Sequence, residues 1–489
     1  MPTYRPQGVT VNVVDNPRII NIAGQARIPA VIGLGPTSLS VVDEAVVKGA
    51  SGATDYLAAY SATTAGVTVT KISTTPSVAS GSLAYALVTN NGALYQLSSA
   101  SVTGAGAVTW TGDDGSDANV PSVGATYYVS YTYNSPSTQY DPKTSSDKDT
   151  LLSLYGVEGT DTGILTIAGT IALENGSPAV ITVQASGSVY SEAAYKTAID
   201  KLQTKKNINY ICVVFPSGSV TRANQETLLT YAYSHVVTMN NAGRERGLAC
   251  GSPSPYSASD GIDTIGDAET SATYLYRANA LTNKNVLYVV PSRIRRKDAS
   301  NNWMELDSNY GAVAVAGLRA AQPRHSQPLH GQVIAGLVIE DEKWNEFQMN
   351  QLGGGGCLVL ESRSGLVTIR DCITTDGTSA NTQEESIADT ERYVKTVLRD
   401  SLRNQFTSKG KVIGPTTTID VENGTAAILQ SLVNTGEIYA FGQVDDPSTG
   451  ETKISAKQNR QEPRQIDVTC SVKWLYPFKF ISVTVSVYI

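Results

Sequence analysis

The sequence predicts a multidomain protein of mixed α+β and α/β structure, with an α/β core, an inserted all-β domain and extended β arms at both ends. Three observations support this fold class. Apolar side chains alternate along the first and last stretches of the chain. Short β-forming runs separated by turn residues fill residues 66–133. Between residues 140 and 296, strand patterns alternate with helix patterns, which is typical of a parallel sheet flanked by helices.

The length of 489 residues is enough for about three domains with substantial cores. Changes in the texture of the sequence divide the chain into an N-terminal extended arm (1–22), the first part of the core (23–65), the all-β insertion (66–137), an α/β middle domain (138–330), a C-terminal core (331–465) and closing β strands (466–489).

The composition argues against several classes of function. The chain has 37 basic and 44 acidic residues, so its net charge of -7 predicts no nucleic-acid partner. Its five cysteines are widely spaced, mostly within apolar runs, which predicts reduced core thiols. The beginning of the chain shows no apolar export signal, and no window reaches the roughly 18 apolar residues of a membrane span. We therefore expect no membrane insertion.

The two ends of the chain are predicted to be extended. Pro6 and Pro17 prevent a helix near the N-terminus. At the other end, a strand at 466–474 is followed by a turn at Pro477 and a second strand at 480–489. Because an unpaired strand edge readily pairs with another strand, we expect the ends to pair through strands that contain Val9, Val11, Val13, Ile19, Ile20, Ile481, Val483, Val485, Val487 and Ile489.

The insertion and the middle domain each suggest an alternative role. Turns at Asn91-Gly92 and Asp114-Gly115 favour a β sandwich or barrel, which would be a spacer or, alternatively, a carbohydrate-binding module. In the middle domain, a ligand would lie at the carboxyl ends of the strands, near Ser217 or Arg295. We predict strands at 179–184, 208–215, 248–251 and 286–290, and helices at 191–205, 221–242 and 264–280.

Few residues are candidates for catalysis or metal binding. His235 is predicted to be a packed core residue of a helix. His325 and His330 flank a proline and could form a metal pair, but no third ligand lies nearby in the sequence. The four glycines at 353–356 could contact phosphate, although a turn into a strand explains them better. We therefore predict no catalytic, cofactor or metal site, and no enzyme activity.

The C-terminal core has clear element signals. A long helix is predicted from Thr382 to about Phe406, with a capping box between Thr382 and Glu385. A second helix is predicted at 420–434, with Asp420 as its N-cap and Gly436 at its end. Strands are predicted at 333–339, 356–361, 366–376 and 437–441.

This ordered set of segments resembles the tail sheath proteins of contractile-tailed bacteriophages. The resemblance rests on residues 333–336, 355–361, 365–370, 374–376 and 385–402, together with the arm segment 8–14. One departure is Glu384-Glu385-Ser386, where sheath proteins often have Glu-Leu-Ser.

The resemblance implies a structural subunit of the phage virion that assembles in the host cytoplasm. Such subunits form hexameric rings that stack helically around a tail tube and contract to drive the tube through the host envelope. The implied partners are further copies of the chain, the tail tube protein, and the baseplate and tail terminator proteins, and the arms would add strands to sheets of neighbouring subunits. Two alternatives remain open: the sheath of a phage-derived contractile particle (tailocin) and a β-rich virion protein that binds host-surface glycans.

Overall fold

The structure is a computed structural model of the whole chain. It describes residues 27–35, 39–50, 55–56, 68–73, 100–102, 107–110, 121–134, 140–156, 158, 163–185, 190–216, 220–251, 278, 280–291, 294–298, 301–339, 345–407, 413–414, 416–442, 454–461 and 465–477. The predicted N-terminal arm, the strand at 480–489 and nearly all of the helix at 264–280 lie outside the described residues.

The strands in chain order are β1 (Ile28–Leu34), β2 (Leu39–Val47), β3 (Asp55–Tyr56), β4 (Thr68–Ser73), β5 (Ala100–Val102), β6 (Ala107–Trp110), β7 (Thr126–Asn134), β8 (Lys143–Ser145), β9 (Val180–Ala185), β10 (Ile208–Val213), β11 (Gly247–Gly251), β12 (Val286–Val290), β13 (Ile294–Lys297), β14 (Trp303–Leu306), β15 (Val333–Ile334), β16 (Leu358–Arg363), β17 (Leu366–Ile369), β18 (Ala440–Phe441), β19 (Ser455–Gln458), β20 (Ile466–Thr469) and β21 (Val472–Lys473).

The α-helices are α1 (Lys148–Tyr155), α2 (Ile164–Glu174), α3 (Glu192–Lys201), α4 (Arg222–Asn241), α5 (Ser308–Ala321), α6 (Glu346–Gly354), α7 (Ala380–Gln383), α8 (Glu385–Leu402) and α9 (Thr417–Asn434). A 3-10 turn (Leu202–Thr204) extends α3, and a π turn (Arg403–Thr407) follows α8.

A nine-stranded mixed sheet forms the centre of the protein, in the order β15-β17-β16-β12-β11-β10-β1-β9-β8. The six strands from β16 to β9 run parallel, and antiparallel strands flank them on both sides. Every residue of β1, β9, β10, β11 and β12 is buried, as expected for parallel strands covered on both faces. The predicted parallel α/β sheet is therefore confirmed.

Two pairs of helices pack on this sheet, α2 with α5 and α3 with α4. Helix α3 begins after Ser191, whose hydroxyl accepts a hydrogen bond from the Ala194 amide, and it buries the predicted apolar face, so this helix is confirmed. Helix α4 also lies where it was predicted. Helices α2 and α5 approach closely at Gly317, where a Cβ atom would lie 2.6 Å from the Ala172 carbonyl oxygen.

Two three-stranded antiparallel sheets, β2-β7-β4 and β3-β6-β5, form from residues between 39 and 134. Strand β2 pairs with β7 along its whole length, from Leu39 opposite Asn134 to Val47 opposite Thr126. Strand β2 was assigned from sequence to the first part of the core, yet it pairs with a strand of the predicted insertion. The insertion as a separate domain, and its boundaries, stay predictions.

The C-terminal lobe consists of α8, α9 and two β ribbons, β18 with β21 and β19 with β20. A second apolar core joins them, formed by Tyr393, Val394, Val397, Ile428, Leu429, Leu432 and Ile438. The predicted common face of residues 466–474 is half-buried, whereas Asp467, Thr469 and Lys473 between them are exposed, so the alternation is confirmed.

Several local predictions for the C-terminal part of the chain were wrong. Thr382 lies within the short helix α7, and its hydroxyl donates to the carbonyls of Asp376 and Ser379, so it does not cap the long helix, which begins at Glu385. Asp420 lies inside α9, which begins at Thr417. The strand predicted at 333–339 is limited to Val333–Ile334.

The prediction of a turn at the four glycines 353–356 was correct only in part. Its first two glycines form the end of α6, a helix that the sequence analysis missed and that begins with a capping box between Asn345 and Gln348. Gly356 then adopts a φ of +88°, which suits glycine, and the chain turns into β16.

Candidate functional site

The most unusual feature of the described structure is a buried ionic cluster on the first turns of α8. Glu385 and Asp389 lie one helical turn apart, and both are completely buried. A buried carboxylate is costly unless charged partners and hydrogen bonds compensate it. The groups that satisfy this pair come from distant parts of the chain.

Glu385 is bound by the guanidinium of Arg319 from α5, which donates from Nε to Oε1 at 3.0 Å and from Nη2 to Oε2. The Tyr210 hydroxyl of β10 donates to Oε1 at 2.8 Å. The Cys372 thiol lies 3.7 Å from Oε2. Arg319 also donates to the carbonyl oxygen of Gln327 at 2.6 Å, so it holds the loop that follows α5.

Asp389 is bound by three basic side chains. Arg27 and Arg392 donate to Oδ1 at 3.2 and 3.0 Å, and the Nδ1 atom of His325 lies 2.6 Å from Oδ2. Burial alone would raise the pKa of Asp389, but His325, Arg392 and Arg27 together hold it well below its usual range. The contacts with Asp389 therefore favour its carboxylate form.

Arg392 connects the two halves of the cluster. Its guanidinium lies over the Tyr210 ring, 4.8 Å from the centroid, and donates to the Tyr210 hydroxyl at 2.8 Å. Burial raises the pKa of Tyr210 well above its ordinary value, so the phenol keeps its proton and can donate it to Glu385. Arg392 also donates to the Asn285 side chain at 3.0 Å, at the start of β12.

The loop after α5 links the cluster to the C-terminal lobe. The amides of His325 and Ser326 donate to Oε2 of Glu437 at 2.9 and 3.1 Å. The Ser326 hydroxyl donates to the Gly436 carbonyl at 2.7 Å. The His325 ring stacks on Tyr393 at 4.1 Å between centroids. Ring stacking and backbone capping thus hold this loop against the second core.

The chemistry of this cluster is electrostatic. A histidine bound to a buried aspartate is part of many hydrolytic triads, but a triad also needs a nucleophile at the other ring nitrogen. In the part of the chain that the structure describes, no hydrogen bond from that nitrogen to a hydroxyl or thiol is recorded. Burial raises the pKa of the Cys372 thiol well above its ordinary value, which makes it unreactive.

The other histidines considered in the sequence analysis lie outside the hydrogen bonds of the ionic cluster. His235 is buried, as predicted, next to Arg246, and burial lowers its pKa to about 4. Among the described residues, His330 shows no hydrogen bond or ion pair with the ionic cluster. These residues also contain no group of three or more His, Cys, Asp or Glu side chains that could hold a metal ion. None of the helices among these residues is long and apolar enough to cross a membrane.

The predicted ligand position at the strand ends is partly filled by the protein itself. The N-terminus of α5 covers the end of β11, where a Cβ atom on Gly251 would lie 2.1 Å from the backbone of Ser308. The Gly251 amide donates to the Asn309 side chain at 2.9 Å. Arg295 pairs with Glu305 in the hairpin β13–β14, and Ser217 lies outside the described residues.

The ten side chains predicted for strand pairing at the chain ends lie outside the described residues, but the C-terminal lobe shows what such strands could meet. Each of its ribbons contains two strands in the described part of the chain, so one edge of each strand has no strand partner there. Glu422 of α9 accepts a hydrogen bond from the Ala456 amide at 2.8 Å and holds β19 against the helix.

The fold of this chain is similar to those of solved structures. The fold is similar to the helical sheath of the anti-feeding prophage in its contracted state, with a TM-score of 0.52, 10% identity, and coverage of 72% of this chain and 89% of that one. A chain in the baseplate structure of the same particle gives a TM-score of 0.52 and 12% identity over 73% and 90% of the two chains. This is the fold of contractile sheath subunits.

Sequence comparison finds a relative that is also a sheath protein. The chain is 24% identical over 372 residues to the tail sheath protein of Mycobacterium phage Bxz1. The match covers 73% of this chain and 58% of that relative, so the chain spans less than two thirds of its length. No family model matches the chain. The resemblance to phage tail sheath proteins is confirmed.

Proposed function

We propose that the chain is the structural subunit of a contractile sheath, which polymerises as stacked hexameric rings around a tail tube and contracts to drive the tube through the host envelope. The observation that carries this proposal is the combination of the sheath fold with the 24% identity to a phage tail sheath protein. Its partners would be further copies of itself, the tube protein, and the baseplate and tail terminator proteins of a virion. The proposal covers a phage tail and a phage-derived particle alike.

The described structure supports a lattice of rigid bodies joined by strands. The nine-stranded sheet and its helices form one continuous apolar core, which can move as a unit. Among the described residues, each strand of the C-terminal ribbons pairs with one other strand only, and β19 also bonds to Glu422 of α9. An extended arm from a neighbouring subunit would add to an edge of such a strand through main-chain hydrogen bonds, and alternate side chains would give specificity.

Strand addition also suits a contractile lattice. A main-chain link between subunits can bend like a hinge while the rigid bodies slide and repack. Energy stored in the extended lattice would then be released by repacking. In this proposal the arms keep the subunits connected throughout the transition.

Electron microscopy of the purified full-length chain at high concentration tests the class. We expect striated tubes or stacked rings. Deleting residues 1–20 or residues 480–489 should leave a folded chain that does not polymerise. Normal tubes from both truncated chains would disprove the strand-addition mechanism.

A matched pair of variants tests the faces of the C-terminal strand. Replacing Val483 and Val485 with Asp changes the face predicted to be apolar, whereas replacing Ser482 and Ser486 with Asp adds the same charge to the other face. We expect the first pair to abolish tubes and the second to keep them, because only the first places charge on the predicted buried face. Equal effects of the two pairs would argue against the predicted orientation.

A further inference from the structure

Helix α8 belongs to the second apolar core and also binds the central sheet and α5 through buried polar side chains. The residues of its second half, Tyr393, Val394 and Val397, belong to the second core with α9 and the ribbons. Its first half carries Glu385 and Asp389, whose partners lie on the central sheet and on α5. A buried polar joint therefore lies next to the boundary between the C-terminal lobe and the sheet.

The partners of Asp389 reach this joint from opposite ends of the sequence. Arg27 directly precedes β1, so it marks the point where the N-terminal segment enters the fold, and it lies 362 positions away from Asp389. His325 belongs to the loop after α5. The amides of His325 and Ser326 both donate to Glu437, which lies shortly before the ribbon strand β18. The two side chains bind different oxygens of one carboxylate.

We propose that Asp389 is a shared joint that fixes the start of β1 and the C-terminal lobe relative to one another, with Arg27 and His325 as positioning residues that act through it. The joint sets the position of β1 with respect to the ribbons. This inference concerns a single chain, and only its consequence for assembly rests on the proposed function.

The geometry distinguishes a shared joint from two local contacts. If each contact stabilised only its own segment, the effects of removing them would be independent. Because both side chains bind the same buried carboxylate, removing the first leaves that carboxylate with fewer partners, and removing the second then costs a different amount. Coupling between residues 27 and 325 is therefore the property to measure.

The test is a double-mutant cycle on the unassembled full-length chain, with Arg27→Met, His325→Phe and the double variant. Phenylalanine preserves the ring that stacks on Tyr393 but removes the contact with Asp389. We expect each single substitution to lower the folding equilibrium constant about tenfold or more, and the double variant to differ from the product of the two by at least about twofold. If a methionine variant does not fold, the milder Arg27→Lys replaces it in the same cycle.

A matched control uses a half-buried arginine far from the joint in sequence. Arg295 pairs with Glu305 on the surface hairpin, so Arg295→Met combined with His325→Phe should give a product of independent effects within about twofold. Coupling in the control as large as in the Arg27 cycle, or independent effects of Arg27 and His325, would overturn the proposal.

Hydrogen exchange adds a readout that a local contact would not change. In Arg27→Met we expect faster exchange at the amides of His325 and Ser326, which lie at the other side of the joint, and Arg27→Lys should partly restore the protection. Faster exchange confined to the start of β1 would contradict the shared joint. All of these measurements use the unassembled chain, so a failure to form tubes would refute the proposed function without affecting this test.

Discussion

Asp307 gives the sharpest test of the electrostatics of this fold. It is the N-cap residue of α5, is 6% exposed, and accepts a hydrogen bond from the Asn309 amide at 2.9 Å. Burial raises its pKa to about 7, although hydrogen bonds from Asn309 lower it. Replacing Asp307 with Asn keeps a good N-cap and removes the titration.

The magnitude follows from the difference between the folded and unfolded pKa values. An unfolded aspartate has a pKa of about 3.9, and each unit of difference is worth about 1.4 kcal/mol, so ionising Asp307 in the folded chain costs about 4 kcal/mol. We therefore expect a penalty of about 4 kcal/mol at alkaline pH.

The direction of the pH dependence is fixed by linkage. The folded pKa is raised, so the folded state binds more protons than the unfolded state between pH 4 and pH 7. The contribution of Asp307 to stability is full below about pH 4 and is lost as the pH rises through 7. Relative to the wild type, Asp307→Asn should be about 1 kcal/mol more stable at pH 4.5 and about 4 kcal/mol more stable at pH 8.

Chemical denaturation of the unassembled chain at several pH values measures this difference, and the other titrating groups cancel between the two proteins. Asp147→Asn is the matched control, because Asp147 is also an N-cap but is exposed and has its pKa lowered by hydrogen bonds from Thr150. The difference in unfolding free energy between Asp147→Asn and the wild type should not change between pH 5 and pH 8. A difference for Asp307→Asn that stays constant over this pH range would refute the reasoning.

Three further predictions follow from packing and charge. Gly317→Ala should destabilise the chain by about 1–3 kcal/mol in thermal or chemical denaturation, because its Cβ would meet the backbone of α2; an unchanged stability would contradict the close approach of α2 and α5. Glu385→Gln should cost about 3–5 kcal/mol, since Arg319 would lose its buried counter-charge, and a loss below 1 kcal/mol would argue against the cluster. In the native chain a thiol reagent should modify the half-buried Cys470 much faster than the four buried thiols, and equal rates for all five would contradict the burial of the others.

The strands of the sheet could be predicted because burial on both faces leaves a direct mark on the sequence. Strands β10 and β12 are rich in β-branched and aromatic residues and are bounded by turn signals. Helices α2 and α5 show no comparable pattern in the sequence. Both are so completely buried that their small and apolar residues surround the axis, and the usual amphipathic period is weak.

The ionic cluster could not be predicted from sequence for a different reason. Arg27, Tyr210 and Arg319 come together only through the strand order of the sheet and the packing of α5, neither of which is encoded locally. The strand patterns predicted that a parallel sheet exists, but not which residues would meet at its end. The partners of Asp389 thus became visible only in three dimensions.

Helix α8 shows why the local pattern is misleading at this cluster. Glu385, Asp389 and Arg392 follow one another at spacings of four and three, which places them on one stripe of α8, opposite the apolar side chains predicted to face inward. On an amphipathic helix such a stripe is typical of a face that contacts solvent. In the structure the first half of α8 is buried on both sides, because the central sheet and α5 supply partners for the charged stripe. Buried carboxylates require such partners, and here they include Arg27, Arg319 and His325.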